Sequence, residues 1–148
     1  MENLCLKILE QRGIKPTAIR MLVLKAMIDA EQAVSLLDLE NKLDTVDKSS
    51  IFRTITLFVS QHLAHSVDDG TGSLKYAVCD SECTCAVKDL HTHFYCEYCH
   101  KTFCLENIHV PVVDLPEGFA VRSINCIKRM LRGMCGRAEK RPLKIKAH

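Results

Sequence analysis

The sequence predicts an α+β protein with two small units, a helical one followed by a cysteine- and histidine-rich one that contains strands. Three observations predict this. Apolar residues recur at intervals of three and four as far as Ser60, as in amphipathic helices. The pattern then changes to strand-like alternation around a glycine-containing turn, and from Cys79 onward the composition changes abruptly. The 148 residues are enough for two small domains.

Four helices are predicted before His62. In the first, Leu4, Ile8 and Leu9 have helical spacing, and Gly13 supplies a stop signal. A side chain that can cap the free N–H groups of a helix precedes each of the others. These caps are Thr17, Ser35 (paired with Asp38) and Asp47.

The fourth helix has two contrasting faces. Its apolar stripe would pack against the other helices. Its opposite face carries short polar side chains and one arginine, which suits contact with DNA bases and suits contact with water equally. The stripe consists of Ile51, Ile55, Phe58 and Val59, and the polar face of Ser49, Arg53 and Thr56, with Ser50 and Phe52 at its edges.

A β-hairpin is predicted after the fourth helix. The alternating stretches LAHSV and SLKYAV flank a turn in which Asp69, Gly70 and Gly72 tolerate positive φ. Helices followed by such a hairpin form a winged helix-turn-helix, whose helix from Asp47 to Ser60 would enter the major groove of DNA. A helical domain without DNA contact is the alternative.

Composition bears on the class of protein. The chain is 47% hydrophobic and 26% charged, as in globular proteins, and no apolar run is long enough to cross a bilayer. The stretch MENLCLKILEQ lacks the features of a secretory signal, so we expect a cytoplasmic protein without membrane contact. Nine cysteines, an odd number, argue against a disulfide framework and favour metal ligation. From Lys128 onward the chain is strongly basic, which is typical of solvated tails and sometimes of segments that attract nucleic acid.

The stretch HTHFYCEYCHKTFC, from His91 to Cys104, predicts two metal sites. Alternation along a strand points His91 and His93 to one face and Cys96 to the other. Cys96 and Cys99 have the two-residue gap that lets both sulfurs bind one tetrahedral zinc.

The zinc site built on this CxxC pair has one further clear ligand, Cys135. Ala138 stands where a second CxxC pair would place the fourth. Cys126 could fill that role, although a cysteine in an apolar run is more often a buried structural residue. A redox-active dithiol is a further alternative, but the neighbourhood lacks the thioredoxin-like pattern.

The two histidines need additional ligands. Cys104 and Glu106 are two residues apart, so in a strand their side chains lie on the same face. That strand follows the CxxC turn and can pair with the strand of the histidines, which would bring the four side chains together. Cys79, at the exit of the hairpin, is a third candidate. Mixed cysteine and histidine ligation favours zinc over Mg²⁺, Ca²⁺ or Mn²⁺ and leaves iron open. The weaker candidates are Cys83, Cys85, His100 and His109.

Five stretches carry a resemblance to a known family: GIKPTAIR (13–20), SSIFRTITLF (49–58), HLAHSVDDGTGSLKY (62–76), HTHFYCEYCHKTFC (91–104) and LPEGF (115–119). In this order they resemble the ferric-uptake-regulator family of bacterial metal-responsive transcription factors, with some features of zinc uptake regulators. The resemblance implies a winged-helix DNA-binding domain over 1–79 and a metal-binding dimerisation domain over 80–136; the basic composition of 137–148 predicts a disordered tail there. It also implies a hinge at which metal sets the angle between the two DNA-reading units of a homodimer.

The resemblance also assigns residues. Phe52 matches a recognition-helix tyrosine, Arg53 the arginine beside it, and Arg20 the arginine of the second helix. Cys104 stands where iron and manganese sensors usually place a carboxylate, and Cys79 resembles the thiolate of zinc-sensing members. The structural zinc cysteines match Cys96, Cys99 and Cys135, and the sensor histidines match His91 and His93. Besides Ala138, which replaces the fourth structural zinc cysteine, five positions depart from the family's metal ligands: Ala33, Ala77, Leu90, Thr92 and Pro111.

The sequence therefore predicts a homodimeric repressor of metal-uptake or homeostasis genes that binds an inverted-repeat operator in double-stranded DNA. A structural Zn²⁺ would stabilise it, and Zn²⁺ or Fe²⁺ would regulate it through His91, His93 and Cys104 with help from Cys79 or Glu106. The expected DNA-binding residues are Arg20, Ser49, Ser50, Phe52, Arg53 and Thr56, and phosphate neutralisation is expected from Arg20, Lys48 and Lys75.

Two other functions stay open: a peroxide-responsive repressor of the same family and a zinc-stabilised protein-interaction module without DNA binding. An enzyme is not expected, because the chain has no HExxH motif and no histidine–acid pair with the pattern of a general base.

Overall fold

The structure, a computed structural model, describes residues 1–79, 91–97, 99–111, 114–120 and 126–130. Helices and strands together give the α+β class that the sequence predicts. The elements in chain order are α1 (Glu2–Gln11), α2 (Ala18–Asp29), β1 (Val34–Ser35), α3 (Leu36–Lys42), α4 (Lys48–Ser60), β2 (Ala64–Val67), β3 (Lys75–Val78), β4 (His91–Cys96), β5 (Thr102–His109) and β6 (Ile127–Met130).

Three helices begin at the predicted capping side chains. Each cap accepts a hydrogen bond from a backbone N–H that has no partner within its helix. In α3 the cap is reciprocal, a full capping box. The bonds run from the amide of Arg20 to Thr17 Oγ1 at 3.4 Å, from that of Asp38 to Ser35 Oγ at 3.1 Å, and from that of Ser50 to Asp47 Oδ2 at 2.9 Å.

The four helices enclose a core that the apolar spacing anticipates. Each helix contributes at least one side chain that is almost fully buried, and Leu63, in the segment between α4 and β2, adds another. Phe58 is the largest of these side chains and is fully enclosed. This core fixes the outward direction of the polar face of α4. The buried set includes Leu9, Leu24, Leu39, Ile51, Ile55, Phe58 and Leu63.

The predicted hairpin, β2 with β3, packs on both of its faces. The two strands are antiparallel, and β1 pairs with the other edge of β3. Ala64 and Val78 on one face pack into the helical core. Val67 and Ala77 on the other face form a second apolar cluster with Ala33, and Cys104 and Ile127 pack against that cluster. The hairpin is therefore held between the helices and the second sheet.

The second sheet has the strand order β5-β4-β6. Strands β4 and β5 are antiparallel, with His93 opposite Cys104, and β6 runs parallel to β4. A backbone bridge joins this sheet to the helical unit: the amide of Ala33 donates to the carbonyl of Thr102 at 2.9 Å.

Candidate metal centre and DNA-facing helix

Three side chains from three strands meet at one point. His65 comes from β2, His93 from β4 and Cys104 from β5, and their ligand atoms lie within 4.8 Å of one another. The Nε2 atoms of the two histidines are 3.1 Å apart, and Cys104 Sγ is 3.8 Å from His65 Nε2. Two imidazole nitrogens and a sulfur at these separations fit a transition-metal site.

The cluster of His65, His93 and Cys104 lies between the hairpin and the second sheet. His93 is buried, and the other two side chains are half-buried. His65 belongs to the hairpin, whereas His93 and Cys104 belong to the second sheet. A metal ion bound here would therefore join the hairpin to that sheet.

Cys79 lies on the far side of the His65 ring. Its Sγ is 3.2 Å from His65 Nδ1, whereas the opposite ring nitrogen faces His93. A partner on the second nitrogen of a ligand histidine fixes the orientation and the tautomer of the ring. Cys79 can thus orient His65, and its predicted role as a direct ligand stays a prediction.

The remaining predicted regulatory ligands occupy β4 and β5. The β-pairing matches His91 with His109 and is irregular between His91 and Thr92, so Glu106 falls in the irregular stretch of β5. The side chains of His91 and Glu106 lie outside what the structure describes, as do Cys83 and Cys85. Their ligand roles therefore stay predictions.

His65 was not among the predicted ligands, although the sequence contains a signal for it. Alternation places His65 on the same face of β2 as Val67, and the pairing sets His65 opposite Ala77 on β3. The alternation that pairs His91 with His93 on one strand face also holds in the hairpin. This alternation puts His65 and Cys79 on one face of the hairpin.

The CxxC turn has the geometry expected of a thiolate pair. Cys96 is buried and Cys99 is half-buried, and the Cys99 amide donates to Cys96 Sγ at 3.5 Å. The His100 amide closes the turn on the Cys96 carbonyl at 2.8 Å. The two cysteines have the spacing of a structural zinc pair, whereas the predicted third ligand, Cys135, and Ala138, which replaces the fourth, lie outside the described residues.

Cys126 does not fit as the missing zinc ligand. The parallel pairing of β4 with β6 places Met130 beside Cys96 and Ile127 beside His93. Cys126 precedes Ile127 and is therefore four residues from the strand position that lies beside Cys96. Four residues along a strand correspond to about 13 Å, several times the zinc–sulfur bond length. Cys126 Sγ instead lies 3.8 Å from Thr92 Oγ1. This alternative was therefore wrong.

The exposed face of α4 is the one predicted for DNA. Ser49, Phe52, Arg53 and Thr56 are exposed, and 54% of the Phe52 surface is accessible. Arg53 is steered along the helix by contacts of its guanidinium with the Ser49 carbonyl at 3.3 Å and with Ser50 Oγ at 3.4 Å.

Arg20 and Arg53 share a groove of about 270 Å³ between the start of α2 and α4. The Arg20 guanidinium donates to the carbonyl of Lys15 at 2.8 Å, and this bond holds the guanidinium near the N-terminus of α2. Two guanidinium groups with hydroxyls on one open groove are suited to phosphate and base-edge contact. The roles of the six predicted DNA-binding residues stay predictions.

Lys75 does not have the exposure that phosphate neutralisation requires. Its Nζ lies 2.8 Å from Asp69 Oδ2, and only 13% of its side chain is accessible. The expectation that it contacts DNA was therefore wrong, because it is already paired with a buried carboxylate. Lys48 is 80% exposed and remains available.

Within the described residues, no helix has the length and apolar character needed to span a bilayer. No protein-family model matches the chain, and no curated protein matches it in sequence.

Solved structures match it over most of its length. A zinc uptake regulator complexed with zinc and DNA is 21% identical in sequence, with a TM-score of 0.62. The match covers 90% of this chain and 91% of the regulator chain. The holo form of XcZur is 19% identical, with coverages of 93% and 94% and a TM-score of 0.61. The ferric uptake regulator of Pseudomonas aeruginosa with manganese is 18% identical, with coverages of 90% and 98% and a TM-score of 0.56. The chain therefore has the fold of the ferric and zinc uptake regulators.

Proposed function

We propose that this chain is a metal-dependent, DNA-binding transcriptional regulator of the ferric-uptake-regulator family and not an enzyme. One observation carries the proposal: the cluster of His65, His93 and Cys104 spans the hairpin and the second sheet. A metal at that position would fix the hairpin, and with it α4, relative to the rest of the chain. Metal occupancy would thereby control DNA binding.

Zinc is the proposed regulatory metal. Two imidazoles and a thiol favour zinc or another borderline-soft ion over manganese, which prefers oxygen ligands. Cys104 supplies sulfur where iron sensors of the family usually have a carboxylate, and this also speaks against peroxide sensing through iron. A second, structural zinc would occupy Cys96 and Cys99 with Cys135.

We further propose that the regulator is a cytoplasmic homodimeric repressor of metal-uptake or homeostasis genes. The similar zinc uptake regulator, solved with zinc and DNA, supports DNA as a partner. Two copies of α4 related by a two-fold axis would read an inverted repeat.

Removing the regulatory metal is expected to abolish specific DNA binding. Duplexes would first be selected from a random-sequence pool with zinc-loaded protein, and binding would then be measured after mild chelation and after adding back Zn²⁺, Fe²⁺ or Mn²⁺. Zinc is expected to restore binding at the lowest free concentration. Retention of full affinity after chelation would contradict metal dependence, and a complete absence of selected duplexes would favour a protein-interaction module.

Arg53→Ala is expected to weaken binding to the selected duplex by about 5- to 150-fold at matched salt, because a well-placed arginine contributes roughly 1–3 kcal/mol of base discrimination. Lys25→Ala is the matched control, since Lys25 is an exposed cation on α2 that does not line the groove. Electrophoretic mobility titrations would compare the two variants. Equal affinity of Arg53→Ala and Lys25→Ala would remove Arg53 from the interface.

A further inference from the structure

The face of the hairpin that meets the second sheet has three zones. Alternation places His65, Val67 and Asp69 on this face of the first arm, and Lys75, Ala77 and Cys79 on this face of the second. The metal cluster lies at one end and the apolar cluster of Ala33, Val67 and Ala77 in the middle. A buried ion pair between Asp69 and Lys75 lies at the other end.

The two oxygens of Asp69 have different partners. Oδ2 accepts from Lys75 Nζ at 2.8 Å and from Thr102 Oγ1 of β5 at 2.7 Å. Oδ1 accepts from the Thr71 amide at 3.0 Å and from the Thr71 hydroxyl, both within the hairpin. The Asp69 side chain is fully buried. One oxygen thus joins the hairpin to the second sheet, and the other stabilises the turn alone.

Thr102 connects this ion pair to the metal cluster. It is fully buried at the start of β5, and its carbonyl accepts from the Ala33 amide. Lys75 Nζ lies 3.4 Å from Thr102 Oγ1 and also 3.4 Å from the carbonyl of His100. Cys104 follows Thr102 by two residues and therefore points to the same face of β5. Fixing Thr102 on the hairpin fixes Cys104 opposite His65.

We propose that Asp69, Lys75 and Thr102 form a latch that holds β5 against the hairpin without metal, and so positions Cys104 and His93 for metal binding. The latch itself is independent of the proposed function. Its effect on metal affinity rests on that function, because only a closed interface presents all three ligands together.

Thr102→Val tests the latch against a closely matched control, Thr71→Val. Both substitutions remove a hydroxyl that donates to Asp69, but only the first removes a bond between hairpin and second sheet. In the metal-free protein, hydrogen exchange of the Ala33 amide, followed by NMR, is expected to accelerate about tenfold in Thr102→Val, as a lost hydrogen bond to a charged group implies. Thr71→Val and the hydroxyl-retaining Thr102→Ser are expected to exchange like the parent.

Zinc affinity, measured by competition with a chromogenic chelator, provides the second readout. Thr102→Val is expected to bind the regulatory zinc more weakly than Thr71→Val does, and Thr102→Ser is expected to restore the parental value. Equal Ala33 exchange in the two valine variants would overturn the latch. Faster exchange with unchanged zinc affinity would overturn its positioning role. A parent protein that binds no regulatory zinc would overturn the proposed function, and the exchange result would still decide the latch.

Discussion

Replacing His65 with alanine is expected to abolish metal-dependent DNA binding and to leave the protein folded. His65 is half-buried and contacts both His93 and Cys79, so its ring lies at the centre of the site. Its loss removes a ligand and leaves Cys79 without the ring that it orients. Zinc affinity should fall by at least the roughly 10- to 100-fold that loss of an outer-sphere partner costs.

His62→Asn is the control for this substitution. His62 is exposed, precedes the hairpin and has a φ of 56°, a conformation that asparagine tolerates well. Zinc affinity and DNA binding of His62→Asn should match those of the parent, and circular dichroism would verify the fold of both variants. Parental zinc affinity in His65→Ala would show that the cluster at this position does not hold the regulatory metal.

Replacing Lys75 with methionine is expected to cost about 3–5 kcal/mol of unfolding free energy at neutral pH, the usual cost of leaving a buried charge without its partner. Methionine keeps much of the length of the side chain and removes the cation. The Asp69 carboxylate would then retain only its hydroxyl and amide donors in a fully buried position. Urea denaturation would measure the loss.

This cost should depend on pH in a defined direction. Burial raises the pKa of the Asp69 carboxyl, but hydrogen bonds from Lys75, Thr71 and Thr102 outweigh burial and hold the pKa far below its usual value. An unfolded aspartate has a pKa of about 3.9. Ionised Asp69 therefore stabilises the parent above about pH 4, and this contribution is lost as the pH falls further. The difference between parent and Lys75→Met should be largest near neutrality and shrink below about pH 4.

Lys48→Met provides the comparison. Lys48 Nζ lies 3.1 Å from Glu40 Oε2, but the lysine side chain is 80% exposed, so its removal should cost at most about 1 kcal/mol. Equal losses in the two methionine variants would mean that the pairing of Asp69 with Lys75 adds nothing beyond an ordinary surface contact.

Sequence patterns correctly predicted the contacts that form between residues close together in the chain. The caps Thr17, Ser35 and Asp47 begin their helices as expected, because the side chain and the N–H that it accepts lie within one turn. Strand parity correctly placed Cys104 beside His93. These contacts need nothing beyond a short stretch of chain and a tight turn.

The residues that spacing did not predict lie where distant segments pack together. His65, the Asp69 bond to Thr102 and the burial of Lys75 all depend on how one face of the hairpin meets β5. Alternation in the sequence shows which side chains share a face of a strand, but it does not show which distant segment packs on each face. Lys75 has the sequence pattern of an exposed cation on a wing, and only the tertiary contact shows otherwise.

Because the two faces of the hairpin pack on different layers, a one-residue shift within β2 or β3 exchanges the side chains that face those layers. A single insertion ahead of Ala64 that shifted the pairing of β2 by one residue would turn the His65 imidazole toward the helical core and Ala64 toward the second sheet. The same insertion in β3 would exchange Ala77 with one of its neighbours, Tyr76 or Val78. We therefore expect insertions and deletions within these two strands to come in pairs of residues.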